Sequence, residues 1–143
     1  MKIVQLSVFL ENQPGRLAAP CTLLADAGIN IVTLTLADTE RFGILRLILG
    51  DWERAKDLLE QRGFVVKVTE VVAIEVEDRP GGLRRLLDAL EKAGVNIEYM
   101  YAFTMRREDK AIMVMRLDEP DKGIDALQAA GIGVLRTIDL LAS

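Results

Sequence analysis

Two short stretches carry residue types that could hold a small charged molecule: Asn12-Gln13-Pro14-Gly15 and Asp78-Arg79-Pro80-Gly81. Each falls where a run of alternating β-formers gives way to apolar residues at helical spacing. The first amides of a helix point outward without intrahelical partners, and the helix dipole favours negative charge there. Such a terminus can hold a carboxylate. Gly15 and Gly81 would let a ligand approach the backbone closely, and Asn12 and Asp78 each add a side-chain oxygen beside the amides. Both also suit plain helix caps, so the two readings stand side by side. Asn30 and Asn96 are a second recurring polar position, just past a helix-ending glycine, where asparagine serves a turn or a ligand equally well. The two turns differ in chemistry: Asn12 donates and accepts, whereas ionised Asp78 only accepts. Asp78 therefore suits an ammonium and repels a carboxylate, with Arg79 offsetting part of that charge.

A duplicated set of elements positions these residues. Pro14, Gly15, Leu17, Leu24, Ala27, Gly28, Asn30 and Ile31 recur as Pro80, Gly81, Leu83, Leu90, Ala93, Gly94, Asn96 and Ile97, all at an offset of 66. Further on the offset becomes 68, with Leu49, Leu59 and Gly63 matched by Leu117, Leu127 and Gly131. The second copy has thus gained two residues near Arg107 to Asp109, where a hairpin loop belongs and extra length costs little. Each copy reads strand, helix, strand, strand, helix, strand. In the first copy these are Lys2 to Leu10, a helix carrying Leu17, Cys21 and Leu24, then Asn30 to Leu36, Phe42 to Leu49, Trp52 to Arg62 and Phe64 to Thr69. Gly28 and Gly94 fit left-handed helix caps, and Asp51 fits an N-cap. The fold class expected is α+β: two ferredoxin-like βαββαβ units, each an antiparallel four-stranded sheet with two helices on one face. The units should span residues 1–68 and 69–143, joined with almost no linker because Val65 to Val76 is continuous strand-like sequence. Pro20 breaks the pattern, since proline inside a helix removes a hydrogen bond and favours a bend; the alternative is that the Arg16 carbonyl it frees faces a ligand.

Composition narrows the function. Among 143 residues there are 18 basic and 22 acidic, and half are hydrophobic. An acidic balance argues against a nucleic-acid partner. Histidine is absent, which removes the usual general base and the commonest metal ligand, and Cys21 alone makes neither a disulfide nor a metal cluster. No catalytic constellation, cofactor motif or metal spacing is present. The opening Met1 to Leu10 is apolar but interrupted by Gln5 and Ser7, so no membrane partner is expected, and the chain should be a soluble cytoplasmic protein.

The pattern Asn-x-Pro-Gly-x-Leu, then about ten residues, then Ala-Gly-[Ile/Val]-Asn-Ile resembles the ACT domain signature, in two copies that cover the whole chain. The resemblance implies a regulatory role: two ACT domains pair and bind an amino acid between them, at the first strand–helix turn of one and the start of the second strand of the other. Carried over to this sequence, it implies ligand contacts from Asn12, Gln13, Pro14, Gly15, Leu17, Asn30 and Ile31, and from Asp78, Arg79, Gly81, Leu83, Asn96 and Ile97. If the copies pair within the chain, Asn12 would face Asn96 and Asp78 would face Asn30, and the site containing Asn12 should be the better one. Serine-sensing members carry histidine two positions before the turn's asparagine. Leu10 and Val76 stand there, which implies a ligand with an apolar side chain.

A second reading comes from Ser7-Val8-Phe9-Leu10-Glu11-Asn12-Gln13-Pro14-Gly15, which is similar to the opening of acetolactate synthase regulatory subunits and implies a metabolic enzyme as partner. Unpaired sheet edges favour a homodimer. Tyr99, Tyr101 and Phe103 alternate along one strand and share a face, expected to pack against another unit or chain. Arg106-Arg107 reads as a charged hairpin tip.

Overall fold

The computed structural model describes residues 1–38, 41–103 and 108–141. Backbone contacts divide the chain into a first unit, Val4–Thr69, and a second, Glu70–Ser143 together with Met1–Ile3. Arg106-Arg107 and the tip of the first hairpin, Thr39-Glu40, lie outside the described residues.

The first unit contains β1 (Ile3–Glu11) from Val4 onward, α1 (Ala18–Asp26), β2 (Ile31–Asp38), β3 (Phe42–Leu49), α2 (Trp52–Gln61) and the start of β4 (Val65–Glu77). β3 lies between β1 and β2 and pairs antiparallel with both, Leu6 opposite Leu47 and Leu34 opposite Leu47. Side chains alternate along a strand, so Leu6, Val8 and Leu10 face one way, and they meet Leu45, Leu47 and Leu49 of β3 in one core. Leu24 of α1 and Ala55 and Leu59 of α2 close that core, which puts both helices on the same face of the sheet. Burying each such leucine contributes about 1.5–3 kcal/mol. The opposite face of β1 carries Gln5 and Ser7, which are also buried, as is Thr33 of β2.

The second unit repeats the plan with α3 (Gly82–Lys92), β5 (Ile97–Ala102), β6 (Lys110–Leu117), α4 (Pro120–Ala129) and β7 (Val134–Leu135). β6 pairs with β5 and β4, and β7 pairs with β4 at Ala73 and Ile74. The order is therefore β5-β6-β4-β7, the arrangement expected of a βαββαβ unit. Its core gathers Val72, Ile74 and Val76 with Leu86 and Leu90 of α3 and Ile124 and Leu127 of α4. A short helix not foreseen from the sequence, α5 (Thr137–Leu141), follows β7. It buries Leu140, and its first turn is tied by Asp139, which accepts from the Arg136 amide at 2.9 Å.

Of the apolar residues at helical spacing in α1 and α3, Leu24, Leu86 and Leu90 are buried, while Leu17, Leu83 and Leu87 are 38%, 39% and 37% exposed. The apolar face of the first helix of each unit is wider than its core contact. Cys21 is half-buried. Asp51 occupies the N-cap of α2 but makes no side-chain cap bond; its carboxylate lies 3.8 Å from Arg54 instead. Pro20 stands in the first turn of α1, which begins at Ala18, so it removes no bond from the helix interior and does not bend it there.

Candidate functional site

The two strand–helix turns have the same backbone. Gln13 N–H donates to the Glu11 carbonyl at 2.9 Å, and Arg79 N–H to that of Glu77 at 2.9 Å. Asn12 N–H reaches the Arg41 carbonyl and Asp78 N–H that of Asp109, across to the neighbouring hairpin. Gly15 and Gly81 have φ of +84° and +87°, and nothing lies within 4 Å of where a Cβ would stand on either. The left-handed backbone requires glycine at both positions, and the space above each is open. The residues at the N-caps are Leu17 and Gly81, and neither helix has a side-chain cap bond. Asn12 and Asp78 therefore do not stand at the N-cap positions of α1 and α3. Arg79 forms an ion pair with Glu77.

The helix starts differ by two residues. α3 begins at Gly82, α1 at Ala18, whereas the counterpart of Gly82 is Arg16. The Ala19–Gly15 and Arg85–Gly81 backbone bonds are equivalent, each 3.3 Å. Pro20 cannot donate the next bond to the Arg16 carbonyl, so the regular ladder resumes only at Ala18, although Leu17 keeps helical angles (φ −70°, ψ −37°).

Asn30 and Asn96 are exposed and open β2 and β5. In both units a register shift follows at once, between Ile31 and Thr33 and between Ile97 and Tyr99. Such bulges re-aim side chains: Ile31 and Ile97 pack on the helix-side cores, while Thr33 and Tyr99 turn to the other face. Tyr99 and Tyr101 are half-buried and Phe103 is buried. Asn96 is held by Asp118, whose carboxylate accepts the Asn96 N–H at 2.9 Å and whose own N–H reaches the Asn96 carbonyl at 3.1 Å. The equivalent of Asp118 in the first unit is Gly50, which has no side chain to do this.

Within one unit the turn and the asparagine lie at opposite ends of the same helix. The nine residues of α1 span about 14 Å, and the eleven of α3 about 16 Å. Asn12, Gln13, Pro14, Gly15 and Leu17 thus form one exposed group and Asn30 with Ile31 another; Asp78, Arg79, Gly81 and Leu83 are likewise apart from Asn96 and Ile97.

Beside each turn is a hollow that periodicity and motif could not reveal, because it joins three chain segments. In the first unit it measures about 290 Å³ and is lined by Phe9, Leu10, Glu11, Arg16, Phe42 and Arg62, with Gly63, Phe64 and Val65 completing the wall. In the second unit the same position holds Glu75, Glu77, Arg85, Lys110 and Gly131 to Gly133, and only about 60 Å³ remains. Lys110 and Glu75 pair there at 3.4 Å, and Arg85 donates to the Ala130 carbonyl at 2.6 Å.

Among the described residues no helix is long and apolar enough to cross a membrane. A family model described as an ACT domain pair matches residues 1–140. The chain is 32% identical over 110 residues to a probable acetolactate synthase small subunit of Archaeoglobus fulgidus, a match covering 73% of this chain and 69% of that one. A solved structure of a Bacteroides thetaiotaomicron protein is 39% identical, covers 98% of this chain and 96% of its own, and superposes with a TM-score of 0.90. The regulatory subunit of aspartate kinase from Thermus thermophilus, in its ligand-free form, shares the fold at 17% identity, with a TM-score of 0.65 over 89% of this chain and 91% of that one. The matched span, the duplicated βαββαβ plan and the twice-used Pro-Gly turn place this chain in the ACT domain pair family.

Proposed function

We propose that this protein binds an amino acid between ACT-like units and serves as a non-catalytic, cytoplasmic regulator. The observation that supports this most is the exact-offset recurrence of one exposed turn, with the same hydrogen bonds and the same left-handed glycine, in both units of an ACT domain pair. The turn and the second-strand asparagine of one unit are too far apart for one amino acid to touch both. A ligand using both motifs takes the turn from one unit and the asparagine from another: Asn12, Gln13, Pro14, Gly15 and Leu17 with Asn96 and Ile97, or Asp78, Arg79, Gly81 and Leu83 with Asn30 and Ile31. Asn12 is the better partner for a carboxylate, because ionised Asp78 repels one and Arg79 is engaged with Glu77. Exposed Leu17, Leu34, Leu36, Leu83, Leu87 and Met100 supply apolar surface for a homodimer. Ligand shifts the regulator only if it binds two arrangements unequally.

The test is a thermal-shift screen against the common amino acids at millimolar concentration, with calorimetry on any hit. A selective rise in melting temperature is expected, strongest for an apolar side chain. Asn12→Ala and Asn96→Ala should each weaken binding by about 1–3 kcal/mol and leave folding intact. If no amino acid raises the melting temperature, the second reading gains: a subunit acting in trans on a metabolic enzyme. The similarity to a probable acetolactate synthase small subunit favours it, and co-purification with a large enzyme would support it.

A further inference from the structure

We propose that the hollow of the first unit is a separate binding site for a small apolar carboxylate that lacks an ammonium group. None of its lining residues belongs to the turn or second-strand sets assigned above. Phe9, Phe42 and Phe64 wall it, and Phe9, Phe42 and Val65 are 38%, 50% and 65% exposed. Aromatic surface left in water around a concave site is what a ligand's apolar body would cover.

The charges at the rim set the ligand's sign. Glu11 pairs with Arg16 at 3.2 Å, which neutralises the one acid in the lining. Among the described residues Arg62 has no ion-pair partner. Its guanidinium can take a carboxylate through two parallel hydrogen bonds. An α-ammonium group would find two arginines and an already paired glutamate, so an amino acid is disfavoured relative to the same side chain on a simple acid.

The second unit provides an internal control. Phe9, Phe42 and Phe64 are replaced by Glu75, Lys110 and Ile132, and Arg62 by Ala130. The Lys110–Glu75 pair occupies the space, and only about 60 Å³ is left. The two copies keep the same core plan, yet one retains an aromatic, cationic hollow and the other closes it with its own ion pair.

The experiment uses the full chain, labelled with nitrogen-15, titrated with 3-phenylpropionate and separately with L-phenylalanine. 3-Phenylpropionate should give saturable shifts at the Gly63, Phe64 and Val65 amides and the Arg62 Nε–H. Arg62→Gln, at an exposed position, should raise its dissociation constant about tenfold, equivalent to about 1.4 kcal/mol. Phe42→Ser should weaken it as well, and Asn12→Ala should leave it unchanged. Absence of saturable shifts at those amides up to millimolar probe overturns the proposal. So do shifts confined to Gln13–Leu17, or affinity unaltered in both folded variants, or L-phenylalanine displacing 3-phenylpropionate from the Gly63–Val65 amides with higher affinity.

Discussion

Asn96 and Asp118 exchange two hydrogen bonds, the Asp118 carboxylate accepting from the Asn96 amide and the Asp118 amide donating to the Asn96 carbonyl. The pair fixes the start of β5 in the second unit, and Gly50 leaves the start of β2 without that carboxylate. Asp118→Ala should cost about 0.5–1.5 kcal/mol in chemical denaturation and speed exchange of the Asn96 amide. Gly50→Asp should slow exchange at Asn30 if the same clamp can be built in the first unit.

Gly82 lies against the end of β4. A Cβ there would stand 2.0 Å from the Glu77 carbonyl oxygen, and backbone cannot move aside as a flexible side chain can. Gly82→Ala should therefore destabilise by about 1–3 kcal/mol. Arg16→Gly in the first unit should not move the start of α1, because Pro20 still withholds its hydrogen bond; Pro20→Leu should extend the helix back to Arg16. Cα chemical shifts at Arg16 and a protected amide at residue 20 report the difference.

Thr33 is 2% exposed, and its hydroxyl has no hydrogen-bond partner among the described residues. Valine has nearly the same shape. Thr33→Val should stabilise the protein by about 1 kcal/mol, read from the denaturation midpoint at unchanged slope. A loss of stability would mean that the hydroxyl has found a partner, such as a buried water.

Lys2 lies 3.2 Å from Asp121 and 3.8 Å from Glu70. The hydrogen bond and charge of Asp121, then the charge of Glu70, raise its pKa above the ordinary 10.5. A raised cation contributes stability that is fully present below its unfolded pKa and is lost as pH rises through the folded value. The Lys2 Cε resonance should titrate with a midpoint above 10.5, and Asp121→Asn should bring it down. A wild-type midpoint no higher than that of the unfolded chain would contradict the pairing.

Much of this was legible in the residues themselves. Glycines at left-handed positions recur because the backbone demands them, so Gly28 and Gly94, φ +72° and +71°, mark both helix ends. Alternation located the strands because each has one face in a core. Three things were hidden. The exposure of Leu83 and Leu87 depends on how wide a stripe the sheet can cover, which helical spacing does not say. The true N-caps depend on where the turn stops and the ladder starts, and there Pro20 and Gly82 outweigh the motif. The hollow was hidden because Phe9, Phe42 and Phe64 are neighbours only after β1, β3 and the end of α2 have come together.

The run of β4 inside the second unit imposes a rule of parity. Val72, Ile74 and Val76 all enter that unit's core, and they are alternate positions of one strand. Inserting a single residue between Val72 and Ile74 would swap odd for even, turning either Val72 or the other two away from the core. That stretch of β4 can therefore change length only in steps of two, or by adopting a bulge, whereas a loop absorbs an extra residue at little cost. Counting residues there should separate sequences that keep this core from those that merely carry the turn motif.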